Sequence, residues 1–192
     1  MVRERAGPYG ERSPGETQMN SRWIAAALAG ALMLTPLAAG AQAVDQAQAD
    51  AGMELFKPTG ANCEMCHAWT GGGRWNDTPF STVPATGPSL ITSTMTRAQM
   101  IEVIGCGSVR GDAVMPRYRG DAWTQQFPCY GKVGTSATAD ERPIPGERQL
   151  TAAQIEAMVT FIQAVYQGKT MTLANCEKYF GPKSKGCNLL RK

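Results

Sequence analysis

Cys63, Cys66 and His67 lie in the run Cys63-Glu64-Met65-Cys66-His67, which sets two thiols and an imidazole within one short stretch of chain. C-x-x-C-H is the attachment pattern of a c-type haem: the two thiols form thioethers to the vinyl groups and the imidazole binds iron from one side. Two intervening residues let the thiols reach neighbouring vinyls, and the adjacent histidine is carried beneath the metal. His67 is the single histidine of the chain, so no other imidazole can share this work. Three other uses of C-x-x-C compete with haem attachment: a thioredoxin-like redox pair, half of a zinc site and a disulfide staple. A redox pair needs a strand before it and a helix after it, whereas here the preceding segment reads as helical and Gly71-Gly72-Gly73 follows. A zinc site needs further ligands, and the remaining cysteines lie singly and far apart. Covalent haem fits the residues best.

Haem iron has a sixth position, and with no second histidine its candidates are methionine, lysine, a chain terminus, water or nothing. Met65 is inside the motif, and Met53, Met100 and Met158 fall on helices whose apolar faces already explain them. Met95 precedes a helix cap and Met171 lies near the C-terminal tail. Met115 differs, because it sits in the loop Gly111-Asp112-Ala113-Val114-Met115-Pro116, well after the haem motif, with Pro116 restricting the backbone beside it. Thioether opposite imidazole favours ferrous iron and raises the potential, which suits electron transfer. A surface-loop methionine is the plainer alternative.

The elements that must position these residues are a few helices separated by long loops. Asp50 is placed to cap a short helix through Phe56, with Gly52 and Phe56 on one face and Met53 beside them. Thr96 starts a second, carrying Met100, Val103 and Ile104 and ending near Gly105 and Gly107. Thr151 starts the longest, to about Tyr166, where Ile155, Met158, Val159, Ile162, Val165 and Tyr166 form an apolar stripe and Gly168 stops it. This helix is expected to cross the N-terminal one, with Gly52 allowing close approach. The intervening stretches are full of breakers, among them Pro79, Pro84, Pro88, Pro116, Pro128, Pro143 and Pro145. A large apolar macrocycle gives such loops something to pack on. No second C-x-x-C-H is present, so one haem is expected.

From Met19 the chain reads as a secretory signal: a positive start, an apolar run from Trp23 to Leu34, and the small-residue site Ala41-Gln42-Ala43. The run is short for a bilayer span. The expected organisation is therefore an N-terminal extension over 1–18 ahead of a plausible initiator, a signal peptide over 19–43 cleaved after about Ala43, and a cytochrome domain over 44–192. Its core covers about 48–167 and its tail 168–192. Removing the first 43 of 192 residues leaves 149, a length that suits one domain. That part holds fifteen of the nineteen basic residues and thirteen of the sixteen acids, a small positive excess that does not suggest nucleic acid. A soluble periplasmic protein with no membrane span after cleavage is expected. In an oxidising compartment Cys106, Cys129, Cys176 and Cys187 should pair. Three connectivities are open, and shorter loops favour Cys106 with Cys129 and Cys176 with Cys187.

The order of these features resembles a class I c-type cytochrome: Gly52 and Phe56 on a first helix, then Cys63 to His67, then Gly87-Pro88-Ser89-Leu90, then Met115-Pro116, then a C-terminal helix. The resemblance covers about residues 48–167. It implies a small all-α fold wrapped round one haem, with the Pro88 carbonyl orienting the His67 imidazole. Within that family the segment Trp123 to Tyr130 with Cys129, and the tail Cys176 to Cys187, are similar to the methanol-metabolism-related cytochromes with four extra cysteines. That likeness implies an electron carrier, not an enzyme, which takes electrons from a periplasmic quinoprotein alcohol dehydrogenase toward a cytochrome or terminal oxidase. The competing readings are a permanently bound cytochrome subunit and a catalytic or gas-binding haem protein. Trp69, Trp75 and Trp123 are read as packing residues. Arg74, Arg110, Arg117 and Arg119 serve equally as a basic rim for a partner, as solvated groups or as partners for haem propionates. Asn76, Asp77, Asp112 and Asp121 could supply oxygens to calcium, but without recognisable ligand spacing.

Overall fold

Four helices of the described chain are capped by an aspartate or a threonine. The computed structural model describes residues 45–73, 86–110 and 113–191. The first helix, α1 (Gln46–Phe56), begins earlier than expected: Asp45, not Asp50, is its cap and accepts from the Gln48 amide at 3.1 Å. Asp50 lies inside the helix. A one-turn helix, α2 (Glu64–His67), carries the end of the haem motif. The capping boxes Thr96/Gln99 and Thr151/Gln154 start α3 (Arg97–Cys106) and α4 (Ala152–Val165), because each threonine accepts from the third helical amide while the glutamine returns to the cap.

α1 packs on α4 at a point where no side chain fits. A Cβ at Gly52 would lie 2.0 Å from the Ala157 carbonyl oxygen and 2.8 Å from the Phe161 Cβ, so glycine is what allows the backbones to meet. Around that crossing the Phe56, Phe161 and Tyr166 rings pack mutually with centroids 5.1–5.5 Å apart, a favourable tilted arrangement. The core extends from them through Met53, Met100, Ile104, Leu150, Ile155, Met158 and Val159. Arg97 ties α3 to α4, pairing with the Glu156 carboxylate and donating to the Thr160 hydroxyl.

Two features go beyond the expected arrangement, the first of them not helical. β1 (Ser108–Arg110) and β2 (Ala113–Met115) form a two-stranded antiparallel ladder with Ser108 opposite Met115. Met115 is therefore on a strand, not in a loop; strands of three residues are too short to show an alternating pattern in sequence. The tail is also structured: α5 (Leu173–Phe180) and a 3-10 segment (Lys185–Leu190) fold back on each other. Cys106 is bonded to Cys129 and Cys176 to Cys187. Around the first of these bonds Ala122 and Trp123 form a small second core with Phe127 and Ala137. Among the described residues no helix is long and apolar enough to cross a membrane. The proposed extension and signal peptide lie outside the described residues, as do Arg74, Trp75, Asn76, Asp77, Pro79, Pro84, Gly111 and Asp112.

Candidate haem-attachment site

After α1 the chain reverses through a tight turn, with the Ala61 amide donating to the Leu55 carbonyl at 2.6 Å and Asn62 in the left-handed region at φ 55°. The turn delivers Cys63 to the start of α2. There the His67 amide donates to the Cys63 carbonyl at 3.0 Å and the Ala68 amide to that of Glu64 at 2.8 Å. Ala68 then leaves the helix at φ 58°. One helical turn thus presents both thiols and the imidazole. Among the described residues the element before it is the helix α1 and not a strand, unlike the strand-then-helix setting of a thioredoxin-like pair.

His67 is buried, at 8% exposure, and its Nδ1 lies 2.9 Å from the Pro88 carbonyl oxygen. A carbonyl can only accept, so this bond places the proton on Nδ1 and leaves a lone pair on Nε2. Burial lowers the imidazole's pKa, with the Pro88 bond opposing, and the ring is neutral at physiological pH. The loop that supplies Pro88 is held against the helix by the Gly87 amide, which donates to Cys66 at 2.7 Å, and by Leu90, whose amide donates to Gly71 at 2.7 Å. Gly87 must lack a side chain: a Cβ there would stand 2.9 Å from His67 Nδ1.

Cys63 and Cys66 are unpaired and partly exposed, while the other four cysteines are consumed in disulfides. Burial pushes the Cys63 thiol up to about 12, with the neighbouring Cys66 adding to the rise. Leu90, Met95, Ile101 and Met115 are partly exposed apolar residues that border the same core cluster as Cys63. Two free thiols and a lone pair on a fixed imidazole suit covalent attachment of a metal macrocycle. Among the described residues no three histidine, cysteine, aspartate or glutamate side chains come together in a group able to hold a bare metal ion. Comparison with protein-family models, with curated proteins and with solved structures finds no match. Chemistry at the site therefore carries the functional argument.

Three tyrosine hydroxyls brace the motif from outside. Tyr118 donates to the Ala61 carbonyl at 3.3 Å, Tyr166 to the Trp69 carbonyl at 2.7 Å, and Tyr179 of α5 to the Glu64 carboxylate. The strap formed by α5 and the 3-10 segment also places Phe180 edge-on to Trp69, pairs Lys178 with Asp50, and sets Tyr179 beneath the Lys57 ammonium. Sequence reasoning missed this strap, although Thr172 as a cap before Leu173, Cys176 and Phe180 at helical spacing was a signal for it.

Other candidate residues are committed elsewhere. Trp123 is buried against the Cys106–Cys129 core, and Trp69 packs on Phe180. Arg117 donates to the Pro143 carbonyl, and Arg119 pairs with Asp121 while stacking over Phe127 at 4.0 Å. That pairing occupies Asp121, a calcium candidate; Arg110 stays exposed.

Proposed function

We propose that the protein is a periplasmic electron carrier of the class I c-type cytochrome kind, with one covalent haem. The observation that carries this reading is the bond from His67 Nδ1 to the Pro88 carbonyl, which leaves the Nε2 lone pair available to a metal on a turn whose two cysteines are free. Bound haem supplies reversible one-electron storage on iron. Cys63 and Cys66 would hold it through thioether bonds, and His67 would donate its Nε2 lone pair and Met115 its thioether sulfur to the iron. The Pro88 carbonyl fixes ring orientation and raises the basicity of the ligand nitrogen. With His67 and Met115 both given to the iron, the chain would leave no ligand position for substrate, which favours carriage over catalysis. The proposed donor is a periplasmic quinoprotein alcohol or methanol dehydrogenase, and the acceptor a cytochrome or terminal oxidase.

The test is expression in a host that exports and attaches haem c. The wild type is expected to retain haem after denaturing electrophoresis, and Cys63→Ser/Cys66→Ser to lose it. Oxidised protein should show a methionine-to-iron charge-transfer band that is lost in Met115→Ala. A high-spin haem that readily binds carbon monoxide would rule out the carrier. Failure of every quinoprotein alcohol dehydrogenase to reduce the protein would remove the proposed donor.

A further inference from the structure

We infer that Tyr130 and Trp123, anchored by the Cys106–Cys129 disulfide, are positioning residues for the Met115 thioether. This deepens the function proposed above and rests on Met115 being the sixth ligand. The hairpin that carries Met115 cannot hold itself in place. It pairs only three residues on each side, and its outward residues Val109 and Val114 are exposed. Isolated two-stranded hairpins are marginal in water. Its geometry is set where β1 leaves α3.

That departure is built with unusual backbone. Gly107 ends α3 at φ 71°, and a Cβ on it would lie 2.5 Å from the Met115 carbonyl oxygen and 2.8 Å from the Arg117 amide nitrogen. Gly107 thus backs directly onto the Met115-Pro116-Arg117 main chain. The last carbonyls of a helix lack partners within it. Here two successive ones are taken by aromatic donors: Trp123 Nε1 donates to the Cys106 carbonyl at 3.1 Å, and the Tyr130 hydroxyl to the Gly107 carbonyl at 2.5 Å. Both donors sit at positive φ, 67° and 52°, where bulky residues are disfavoured. Such conformations persist when the surroundings over-determine them. Tyr130 follows the bonded Cys129 directly, and its amide donates to the Glu102 carboxylate on α3 at 2.8 Å. Beyond Met115, the Tyr118 and Arg119 amides donate to Ile104 and Gly105, so the returning chain runs beside the same end of α3. The ties of this stretch to α3 gather at the helix terminus, Arg117 being held in addition by Ile144 and Gly146, and the disulfide secures the two aromatic clamps there. An ordinary helix end needs only carbonyl satisfaction. Two strained aromatic donors on consecutive carbonyls, next to the strand facing the ligand strand, fix register.

The experiment uses haem-loaded wild type, Tyr130→Phe, Cys106→Ser/Cys129→Ser and, as a control, Cys176→Ser/Cys187→Ser, which removes a disulfide far from the hairpin in sequence. Imidazole is titrated into each ferric protein, since an external base competes with Met115 for iron. Tyr130→Phe is expected to bind imidazole about threefold to tenfold more tightly, the range one lost hydrogen bond produces. Cys106→Ser/Cys129→Ser should gain more, and the control, whose strap touches the haem motif and not the hairpin, should gain less than Tyr130→Phe. Hydrogen exchange at the β1 and β2 amides should quicken in the same two variants, a readout independent of iron ligation. Should the double variant fail to fold, Tyr130→Phe decides the question, because it removes one hydroxyl from a partly exposed ring. Unchanged imidazole affinity in Tyr130→Phe, or an equal rise in the control, overturns the inference. A wild type lacking the methionine band overturns the ligand assignment and this inference with it, whereas a band with unresponsive variants overturns this inference alone.

Discussion

A proton held on His67 Nδ1 decides what the opposite nitrogen can do, and a single missing methyl group keeps it there. Gly87→Ala would place a Cβ within 2.9 Å of that nitrogen and 2.8 Å of the Cys66 carbonyl oxygen. The ring and the Pro88 loop cannot both stay where they are. The expected outcome is a markedly lower haem content per chain, read by absorbance against protein concentration; normal haem content would show that the loop absorbs the side chain freely. Tyr179→Phe tests the outer brace. It leaves the half-buried Glu64 carboxylate without its donor, which costs about 1–3 kcal/mol, and the melting temperature should fall by several degrees. Glu64→Gln/Tyr179→Phe should recover part of that loss, because a neutral amide is less costly to leave unpaired than a carboxylate.

Helix packing turns on the Gly52 contact. Gly52→Ala forces α1 away from the Ala157 carbonyl, and overpacking of this sort costs about 1–3 kcal/mol or more. Urea unfolding should show a lowered midpoint with an unchanged slope, whereas an unaltered midpoint would mean that the two helices can separate cheaply. Much of this arrangement was readable in advance. Thr96 and Thr151 stand three residues before a glutamine and ahead of periodic apolar residues, and both open helices as that pattern predicts. The start of α1 was hidden, since Gln46 and Gln48 dilute the apolar pattern behind Asp45. The β1–β2 ladder was invisible because its three-residue strands are shorter than the run of about four to eight residues over which alternation can be read. Within the site, C-x-x-C-H spacing is local and could be read directly, and Gly87-Pro88 was legible through family likeness. The tyrosine braces were not, because Tyr118, Tyr166 and Tyr179 reach residues 57, 97 and 115 positions away.

Across the whole molecule, the tail is closed on itself by one disulfide and joined to the body by Tyr179, which is buried in the main core, and by the Lys178–Asp50 and Phe180–Trp69 contacts. Removing the bond with Cys176→Ser/Cys187→Ser should cost about 2–3 kcal/mol, since the closed loop is short. Proteolysis should then cut first within the tail while residues 45–165 stay intact; uniform degradation would mean that the strap is not a separable unit. Its pH response follows from Asp50. The hydrogen bond from the Lys178 ammonium holds that carboxyl below its ordinary value, helped by the Gln46 amide and opposed by desolvation. A depressed value means stabilisation fully present above the ordinary aspartate value of about 3.9 and lost as pH falls from there through the lower folded-state value. Exposed pairs contribute about 0.2–1 kcal/mol, so tail cleavage by an acid-active protease should rise modestly below about pH 4, and Asp50→Asn should abolish that dependence.

The strap is also made well after the motif it braces, Tyr179 following Glu64 by 115 residues. Under the proposed function, an attachment enzyme grips Cys63 to His67 while that stretch is still extended, and Tyr179 closes on Glu64 only after α5 arrives. Chain order thereby sets a timetable: the thiols are presented first, and α5 shuts the window behind them.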